Sequence, residues 1–347
     1  MDALEAVIII PAYQPEKKMV HLIQELQETG FQRILVVDDG SGPEYAEIFH
    51  EAEALGCVVV QYEINQGKGA AIKTALGEAA ARWGRNQGYI TADADGQHLP
   101  KDILKVAQAL VQNPADLIIG MRDFSGENVP PRSRFGNRIT SVFFRLISGV
   151  ACPDTQTGLR GIPASLLDLA LSEEGERYEY EMNFLMDAVR KVPMHLVPIE
   201  TVYEEKNRTS HFRPVQDSLR VYGRFVRFLL ASVAGAVVDC LLFEVFSLFL
   251  LFAQTVKIIL ATIMARVCSG IVNFGLNRRY SFRSRMPVGR EIVRYAILFL
   301  GQMTASAVLV SMLAYLLPSL LAKVIVDTIL FFLSFRIQKN WVFAADK

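Results

Sequence analysis

Two aspartates two residues apart, Asp93 and Asp95, follow directly on an apolar segment, and Gln97 stands two positions further on. On a turn that leaves a β-strand, carboxylates in this spacing can converge on one cation, and a Gln carbonyl can add a neutral oxygen ligand. Oxygen ligands favour Mg²⁺ or Mn²⁺, whose open positions go to phosphate oxygens. The pattern indicates a site for a metal ion and a phosphorylated substrate, and a solvated acidic loop is the alternative.

A second acidic pair, Asp38 and Asp39, ends another β-branched segment, and Pro11 and Tyr13 end the first one. A carboxylate in such a loop can accept hydrogen bonds from a nucleobase N–H or a ribose hydroxyl, with Tyr13 packed beside the base. Turn formation is the alternative, because Asp-Gly-Ser sequences favour turns.

Gly67 and Lys68 open a predicted helix after the third apolar segment. Backbone N–H groups, the helix dipole and the Lys68 ammonium can together face an anion at such a position. The chain has neither the Gly-x-Gly-x-x-Gly nor the Gly-x-x-x-x-Gly-Lys-Ser/Thr pattern. This argues against a nicotinamide enzyme and against a P-loop ATPase.

The elements that carry these loops alternate short β-branched runs with amphipathic stretches, which predicts βαβ units around a mostly parallel sheet. Because ligands bind at the carboxyl edge of such a sheet, the polar loops are expected to meet there. The predicted strands are Val7 to Ile10, Ile34 to Asp38, Val58 to Tyr62, Tyr89 to Ala92, Asp116 to Gly120 and His195 to Val202. The predicted helices are Lys18 to Glu28, Pro43 to Leu55, Gly69 to Trp83 and Lys101 to Val111.

The segment 132–149 is basic and amphipathic, with Arg134, Arg138 and Arg145 at helical spacing. The remaining face carries Phe135, Ile139, Val142, Phe143 and Leu146. The pattern is typical of a helix in a membrane interface, with arginines toward lipid phosphates and apolar side chains toward acyl chains. An ordinary surface helix packed on the sheet is the alternative.

Composition narrows the class of protein. The 347 residues are 51% hydrophobic and 21% charged, and 36 Lys and Arg residues balance 36 Asp and Glu residues. These values exclude disorder, a collagen-like fibre and a basic nucleic-acid binder, so no nucleic-acid partner is expected. The 4 cysteines lack the close spacing of a zinc site or a disulfide scaffold. The acidic start and Pro11 argue against a signal peptide, which predicts a cytosolic first domain.

Four apolar segments follow residue 227, at 228–250, 256–277, 293–317 and 320–338. Each approaches or exceeds the roughly 20 residues that span a bilayer as a helix. Arginines precede the first span and cluster between the second and third, whereas Lys257 and Lys323 are the basic residues near the opposite turns. The positive-inside rule therefore predicts a multi-pass protein of the cell membrane with cytosolic termini.

The spans repeat internally, because 273–282 aligns without a gap on 334–343. Such repeats occur in transporters, although duplication also serves to build an anchor. Asp239, Arg266 and Asp327 lie at similar depths within their spans. Because isolated charges are costly in the bilayer, an Asp239–Arg266 contact with Asp327 nearby is predicted. A structural clamp and a polar path for a phosphate headgroup are the two interpretations.

The motifs occur together in a familiar order. They are Ile10-Pro-Ala-Tyr, Val37-Asp-Asp-Gly-Ser, Asn65-x-Gly-Lys-Gly, Asp93-Ala-Asp-Gly-Gln-His and Asp154-Thr-Gln-Thr-Gly-Leu-Arg160. The sequence over 1–215 resembles family 2 glycosyltransferases of the GT-A fold, in particular polyprenyl-phosphate sugar synthases such as dolichyl-phosphate mannose synthase and bactoprenol glucosyltransferases. The rest, 216–347, resembles a juxtamembrane helix and a GtrA-like domain of four spans.

The resemblance implies roles for individual residues. It places the nucleotide's base and ribose on Asp38 and Asp39, and assigns Asp93 to the ribose or the metal. It assigns Asp95 and Gln97 to a metal on the diphosphate. The implied donor site comprises Pro11, Tyr13, Asp38, Asp39, Gly67, Lys68 and Asp93, and the implied acceptor-phosphate site Arg122, Arg134, Arg138 and Arg208.

Two of the implied assignments carry alternatives. Around Arg208 the sequence departs from the family pattern, because Ser210-His211-Phe212 replaces the usual small residue and Lys. Asp154 is expected to hold sugar hydroxyls or to support oxocarbenium charge, with a helix cap or a loop anchor as the alternative. Asp95, Arg122 and Asp154 form the expected catalytic set.

The expected activity is metal-dependent, inverting transfer of a sugar to a polyprenyl phosphate such as undecaprenyl phosphate. The expected donor is a UDP-linked hexose, and the expected role is modification of cell-envelope glycans. A lipid monophosphate is largely dianionic at neutral pH, since its second pKa is about 6, so it needs little help from a general base. A glycolipid flippase with a cytosolic recognition domain is the alternative. The membrane domain can also support a homo-oligomer.

Overall fold

The computed structural model describes residues 2–124, 131–200, 223–250, 254–282, 284, 286–313 and 315–344. The chain divides into two compact units, Met1–Val221 and Tyr222–Lys347. The predicted fold class is confirmed, since the first unit is an α/β domain with a mostly parallel sheet and the second is helical.

Seven strands form the sheet in the described part of the first unit, in the order β3-β2-β1-β4-β6-β5-β7. Strand β6 is antiparallel to β4 and β5, and the other neighbours are parallel. The strands are β1 Val7–Ala12, β2 Ile34–Asp38, β3 Val58–Gln61, β4 Tyr89–Thr91, β5 Leu117–Arg122, β6 Arg160–Ile162 and β7 Met194–Ile199.

The helices of this unit are α1 Lys18–Thr29, α2 Ala46–Ala54, α3 Lys68–Trp83, α4 Pro100–Gln112, α5 Pro131–Ser148, α6 Leu167–Ser172 and α7 Glu179–Ala188. Short 3₁₀ turns occupy Ala3–Glu5, Pro43–Tyr45 and Ala164–Leu166. Every side chain of β1 is buried, as expected for a parallel strand covered on both faces. Ile8 and Ile10 pack in one core with Leu22 of α1 and Ile103 of α4.

Strand β6 was not predicted from the sequence. It has three residues, Arg160, Gly161 and Ile162, and neither Arg nor Gly signals a strand. Its arginine is 3% exposed, and the guanidinium donates hydrogen bonds to the carbonyls of Thr155, Thr157 and Glu181. Tertiary contacts that local sequence does not encode therefore complete the sheet.

The second unit contains helices α8 Gly223–Phe249, α9 Gln254–Leu276, α10 Val288–Leu313 and α11 Ser319–Ile337. Among the described residues, 3 helical stretches are long and apolar enough to cross a membrane, namely Phe225–Phe249, Leu260–Ser281 and Val288–Leu313. The fourth predicted span falls on α11, whose 19 residues include Lys323, Asp327 and Arg336.

The internal repeat is visible in the backbone. Helices α9 and α11 each end in a π-helical turn, Asn277–Ser281 and Gln338–Val342, at equivalent positions of the repeat. The side-chain amide of Asn277 donates to Oε1 of Gln338 at 3.1 Å. Phe282 and Phe343, also equivalent, stack with ring centroids 5.0 Å apart. The two hairpins, α8–α9 and α10–α11, therefore meet through like residues.

The predicted contact between Asp239 and Arg266 is confirmed. Nε of Arg266 lies 3.4 Å from Oδ2 of Asp239, and the hydroxyl of Ser269 donates to Oδ1 of the same carboxylate at 3.1 Å. Asp327 accepts from Lys323 and from Ser306, each at 2.8 Å. Pairing within the helical unit lowers the cost of charges that lie midway along apolar helices.

Candidate active site

The turn after β4 holds the predicted metal-binding residues. The backbone N–H of Asp93 donates to Nδ1 of His98, and that of Gln97 donates to Oδ1 of Asp95, each at 3.0 Å. Burial lowers the pKa of His98, and because Nδ1 accepts the Asp93 hydrogen bond, that nitrogen carries no proton. These local hydrogen bonds fix both carboxylates on one turn at the carboxyl edge of the sheet.

Lys68 links this turn to two other elements. Its ammonium, at the start of α3, lies 2.7 Å from Oδ1 of Asp93 and 3.0 Å from Oε2 of Glu181 in α7. Burial alone would lower the pKa of Lys68, but the charges of Asp93 and Glu181 outweigh it and hold the pKa well above its usual range. Lys68, which was expected to bind an anionic ligand, thus forms ion pairs with two carboxylates of the protein.

The two carboxylates of the turn differ electrostatically. Burial alone would raise the pKa of Asp93, but Lys68 and then His98 outweigh it and hold the pKa well below its usual range. Burial raises the pKa of Asp95, and the negative charge of Asp93 raises it further. Asp93 therefore has its counter-charge in the protein, whereas Asp95 is the carboxylate that an added cation would stabilise.

The donor set fits a hard divalent cation. Asp95 and Gln97 offer oxygen ligands, which Mg²⁺ and Mn²⁺ prefer. Within the described ranges, the chain brings together no group of three or more His, Cys, Asp or Glu side chains able to hold a metal ion by itself. A cation at Asp95 would therefore complete its coordination with water or with phosphate oxygens of a substrate.

Asp38 and Asp39 organise the loops beside this turn. Oδ1 of Asp38 accepts from the backbone N–H of Ser41 at 2.8 Å, and the Ser41 hydroxyl accepts from the backbone N–H of Gln14 at 2.8 Å. These bonds tie the β2 loop to the loop after β1, which contains Tyr13. In this structure Asp38 therefore stabilises a turn, as the alternative interpretation has it. Pro11 pairs with Val37 in the adjoining strands.

Asp39 holds the loop that precedes α3. Its carboxylate accepts from the side chain of Asn65 at 2.9 Å and from the backbone N–H groups of Gln66 and Gly67 at 2.7–3.0 Å. Burial raises the pKa of Asp39 despite these hydrogen bonds. Gly67 has φ +108°, and a Cβ there would lie 2.5 Å from Arg177 Cγ. The glycine lets this loop pack against the segment before α7.

Arg122 and Asp154 form a bidentate ion pair. Nε and Nη2 of Arg122 donate to the two carboxylate oxygens of Asp154 at 2.7 and 3.0 Å, and the Arg122 backbone N–H donates at 3.2 Å. Asp154 is 0% exposed. This geometry fixes the guanidinium at the end of β5, close enough to act electrostatically on Asp93.

Helix α5 has two apolar faces. Phe144 and Ile147 are buried, whereas Phe135, Ile139, Val142 and Leu146 are exposed, Phe135 by 67%. Arg138 and Arg145 are also exposed, and Nε of Arg134 donates to the carbonyl of Phe124 at 3.1 Å. Arg208, expected to contact phosphate, lies outside the described residues.

Known proteins share sequence similarity with this chain. The pattern of the family described as "Glycosyl transferase family 2" matches residues 7–163. A Methanococcus voltae protein named UDP-N-acetylglucosamine–dolichyl-phosphate N-acetylglucosaminyltransferase is 33% identical over 57% of this chain and 86% of its own. The chain belongs to glycosyltransferase family 2. This glycosyltransferase is also 32% identical to an uncharacterized protein of Methanocaldococcus jannaschii, over 58% of this chain and 83% of that protein.

The helical unit has a match of its own. The pattern described as "GtrA/DPMS, transmembrane domain" matches residues 227–343, so this family 2 glycosyltransferase is a membrane protein. The solved structure of glucosyl-3-phosphoglycerate synthase from Mycobacterium tuberculosis with Mn²⁺, UDP and glucosyl-3-phosphoglycerate aligns with a TM-score of 0.47 at 18% identity, over 66% of this chain and 81% of that one.

Three residues of the candidate site were missed by sequence reasoning. Glu181 binds Lys68, His98 supports the turn, and Gly158 lies against Asp93. The Asp-Gly-Gln-His sequence was a signal for His98, because a histidine after a paired-Asp turn has the turn's carboxylates as neighbours. Glu181 gave only the weak signal of an acidic first helical turn.

Gly158 gives the first testable prediction. A Cβ at this position would lie 2.3 Å from Oδ2 of Asp93, so Gly158→Ala must displace the carboxylate from Lys68. We expect the KM for the sugar donor to rise and stability to fall by about 1–3 kcal/mol, as in other overpacked sites. Steady-state kinetics and denaturant unfolding measure the two effects.

Gly77→Ala is the matched control, because Gly77 lies within α3 and a Cβ there meets its nearest neighbour at 3.8 Å. A helical Gly→Ala change of this kind is expected to stabilise by about 0.5–1 kcal/mol. Equal kinetics in both alanine variants would show that the contact between Gly158 and Asp93 does not matter for activity.

Proposed function

We propose that this glycosyltransferase moves a sugar from a nucleotide donor, a UDP-linked hexose, to the phosphate of a polyprenyl lipid such as undecaprenyl phosphate. The reaction takes place at the cytosolic face of the cell membrane and inverts the configuration at the anomeric carbon of the sugar. The observation that carries the proposal is a family 2 domain and a GtrA/DPMS membrane domain in one chain. The Methanococcus voltae relative is named for transfer to dolichyl phosphate, which supports the lipid acceptor.

The donor would lie along the loops that follow β1, β2 and β4. Asp38, Asp39 and Tyr13 belong to the loops proposed to surround the nucleoside, although Asp39 first serves to hold the Asn65–Gly67 segment. Asp93, held by Lys68, is proposed to accept from a ribose hydroxyl. The loop contacts arrange these groups before the donor arrives, which reduces the ordering cost of binding.

Asp95 and Gln97 are the residues proposed to hold Mg²⁺ or Mn²⁺. When bound, such an ion supplies positive charge to the departing nucleoside diphosphate. The positive guanidinium of Arg122 lies at the same carboxyl edge of the sheet. The buried Asp154 carboxylate fixes this guanidinium, so it need not reorganise during transfer. Asp154 is thus proposed as a positioning residue for Arg122.

The transfer step forms a bond between an acceptor phosphate oxygen and the anomeric carbon of the sugar. The bond between that carbon and the diphosphate oxygen breaks, and its electron pair leaves with the nucleoside diphosphate. Because the acceptor monophosphate is largely dianionic at pH 7, with a second pKa of about 6, no protein base has to remove a proton. The principal task of the site is therefore to bring two anions together.

Helix α5 is proposed to dock on the membrane surface near the acceptor. Its exposed apolar stripe of Phe135, Ile139, Val142 and Leu146 fits the acyl boundary, and exposed arginines fit lipid phosphates. We expect Arg138→Ala to raise the KM for polyprenyl phosphate about tenfold, the scale of one charge-assisted hydrogen bond, while the KM for nucleotide sugar changes less. Kinetics with each substrate varied in turn give this split.

Arg82→Ala serves as the matched control, since Arg82 is an exposed arginine of α3 paired to Glu78. It should change neither KM. Equal increases for both substrates in Arg138→Ala would count against acceptor docking through α5.

The decisive test of the proposed function incubates purified full-length protein with undecaprenyl phosphate and a panel of radiolabelled nucleotide sugars, with and without EDTA. We expect one labelled lipid product, formed from one donor and lost on chelation. Transfer only to a soluble acceptor, or none with any donor, would refute the proposal.

A further inference from the structure

Helices α3 and α7 approach each other closely where they begin. A Cβ on Gly69 would lie 2.4 Å from Cβ of Tyr180, so the approach requires a glycine at this position of α3. From the other side, Nη1 of Arg160 in β6 donates to the carbonyl of Glu181 at 2.6 Å. The start of α7 is therefore held by two neighbouring elements, which fixes the backbone that carries Glu181.

Glu181 directs one carboxylate oxygen at Lys68 and leaves the other unpaired. Oε2 lies 3.0 Å from the Lys68 ammonium, and the two side chains are 14% and 19% exposed. Oε1 is buried and has no hydrogen-bond partner among the described residues. Because buried polar groups are normally paired, a purely structural role explains only half of this carboxylate.

Lys68 carries the influence of Glu181 to the turn after β4. Its ammonium also lies 2.7 Å from Oδ1 of Asp93, and it is close enough to act electrostatically on Asp95. One ammonium between two carboxylates leaves a net negative charge, whereas a Lys68–Asp93 pair alone would be neutral. Because net negative charge attracts a divalent cation, Glu181 makes the surroundings of Asp95 more favourable for such an ion.

We propose that Glu181 is a positioning residue, which holds the Lys68 ammonium at α7 and thereby strengthens the binding of a divalent cation at Asp95. The inference rests on the proposed function, since it takes up the ion proposed for Asp95 and Gln97. A direct metal ligand and a purely structural ion pair are the alternatives. Action through Lys68 is favoured because Oε2 of Glu181 is engaged by the lysine and Oε1 is enclosed by protein.

The alternatives differ in what the loss of each charge does to cation binding. We expect Glu181→Gln to weaken Mn²⁺ binding about tenfold, the factor that one nearby charge commonly produces in a protonation equilibrium. Lys68→Gln should strengthen Mn²⁺ binding by a similar factor. A purely structural ion pair predicts weaker binding in both variants, because either substitution would loosen the turn. Glutamine keeps hydrogen-bonding capacity at both positions.

The test titrates Mn²⁺ into the purified full-length protein and follows the electron paramagnetic resonance signal of the free ion, with and without UDP. In Lys68→Gln/Glu181→Gln, Mn²⁺ should bind as it does to Lys68→Gln, within about twofold, because Glu181 then has no lysine to hold. Glu78→Gln is the matched control, since it removes a carboxylate of α3 paired with Arg82. It should bind Mn²⁺ as the wild type does.

Equal Mn²⁺ affinity in the wild type and Glu181→Gln would overturn the inference, and so would weaker binding in Lys68→Gln. If adding Glu181→Gln to Lys68→Gln still costs about tenfold in affinity, Glu181 acts on the ion directly and the inference is wrong. Thermal unfolding shows whether each variant folds. Should Glu181→Gln unfold, Lys68→Gln decides, because unchanged Mn²⁺ affinity in that variant refutes the role of Lys68.

Failure of the proposed function has a different signature. No Mn²⁺ binding to the wild type, with or without UDP, would overturn this inference together with the proposed cation. The expected order of Mn²⁺ affinities without transfer of sugar to a polyprenyl phosphate would refute the proposed function and leave the role of Glu181 standing.

Discussion

Asp95→Asn is expected to lower the rate of sugar transfer by at least about 10²-fold, the scale of losing one preorganised electrostatic contact in a transition state. The substitution removes a negative charge and keeps the size of the side chain. The amide oxygen can still accept from the backbone N–H of Gln97, so the turn should keep its shape. The loss would then report on cation binding.

The electrostatics of the turn explain why Asp95 and Asp93 should respond differently. Asp93 already has the Lys68 ammonium at 2.7 Å, so Asp93→Asn leaves that lysine with Glu181 alone. Burial and the charge of Asp93 both disfavour the ionised form of Asp95 and raise its pKa. Removing the Asp95 charge should therefore leave the protein no less stable.

Kinetics with Mg²⁺ and Mn²⁺ titrated over a wide range, together with thermal unfolding, measure these effects. Asp168→Asn is the control, because Asp168 is an exposed carboxylate paired to Arg85 at the surface, and its activity should equal that of the wild type. Unchanged activity in Asp95→Asn, or full activity of the wild type in excess EDTA, would refute a metal role for this turn.

Local sequence predicted the sheet well where strands are continuous β-branched runs. Val7–Ala12 and Ile34–Asp38 are buried along their whole length, so their apolar character is visible in the sequence itself. The position of Asp93 and Asp95 followed from the end of such a run. Strand β6 could not be predicted, because its stability depends on pairing with β4 and β5 on both sides.

The roles of side chains in the site were harder to predict than their position. The start of a helix indicated an anion site at Lys68, but its partners, Asp93 and Glu181, come from distant parts of the chain. The spacing of residues in a sequence does not show such contacts. By contrast, the Asp239–Arg266 contact was predictable, because the membrane leaves charged side chains few alternatives to pairing.

The second large effect is expected at the ion pair of Arg122 and Asp154. Asp154 is fully buried and accepts two guanidinium hydrogen bonds and the backbone N–H groups of Arg122 and Gln156. Asp154→Ala should destabilise the catalytic unit by about 3–5 kcal/mol, because breaking a buried ion pair leaves its partner uncompensated. Asp154→Asn keeps the shape and one acceptor, so it should fold and isolate the effect on Arg122.

In Asp154→Asn, the guanidinium loses its bidentate carboxylate and can adopt other orientations. We expect kcat to fall about 10²-fold or more, the scale seen when a preorganised donor is lost, with a smaller change in KM for the nucleotide sugar. Arg122→Met should cause a similar loss. Because both variants remove one oriented guanidinium, the double variant Arg122→Met/Asp154→Asn should be little worse than either single variant.

Single and double variants measured in one kinetic series decide between the two roles of Asp154. Asp187→Asn, which removes a carboxylate of α7 paired with Arg190, is the control and should keep full activity. Additive losses in the double variant would show that Asp154 acts independently of Arg122, as expected if it holds sugar hydroxyls. Non-additive losses would show that Asp154 contributes by orienting Arg122. If both residues act through one guanidinium, the first substitution already removes their shared contribution to the rate, and the second adds little.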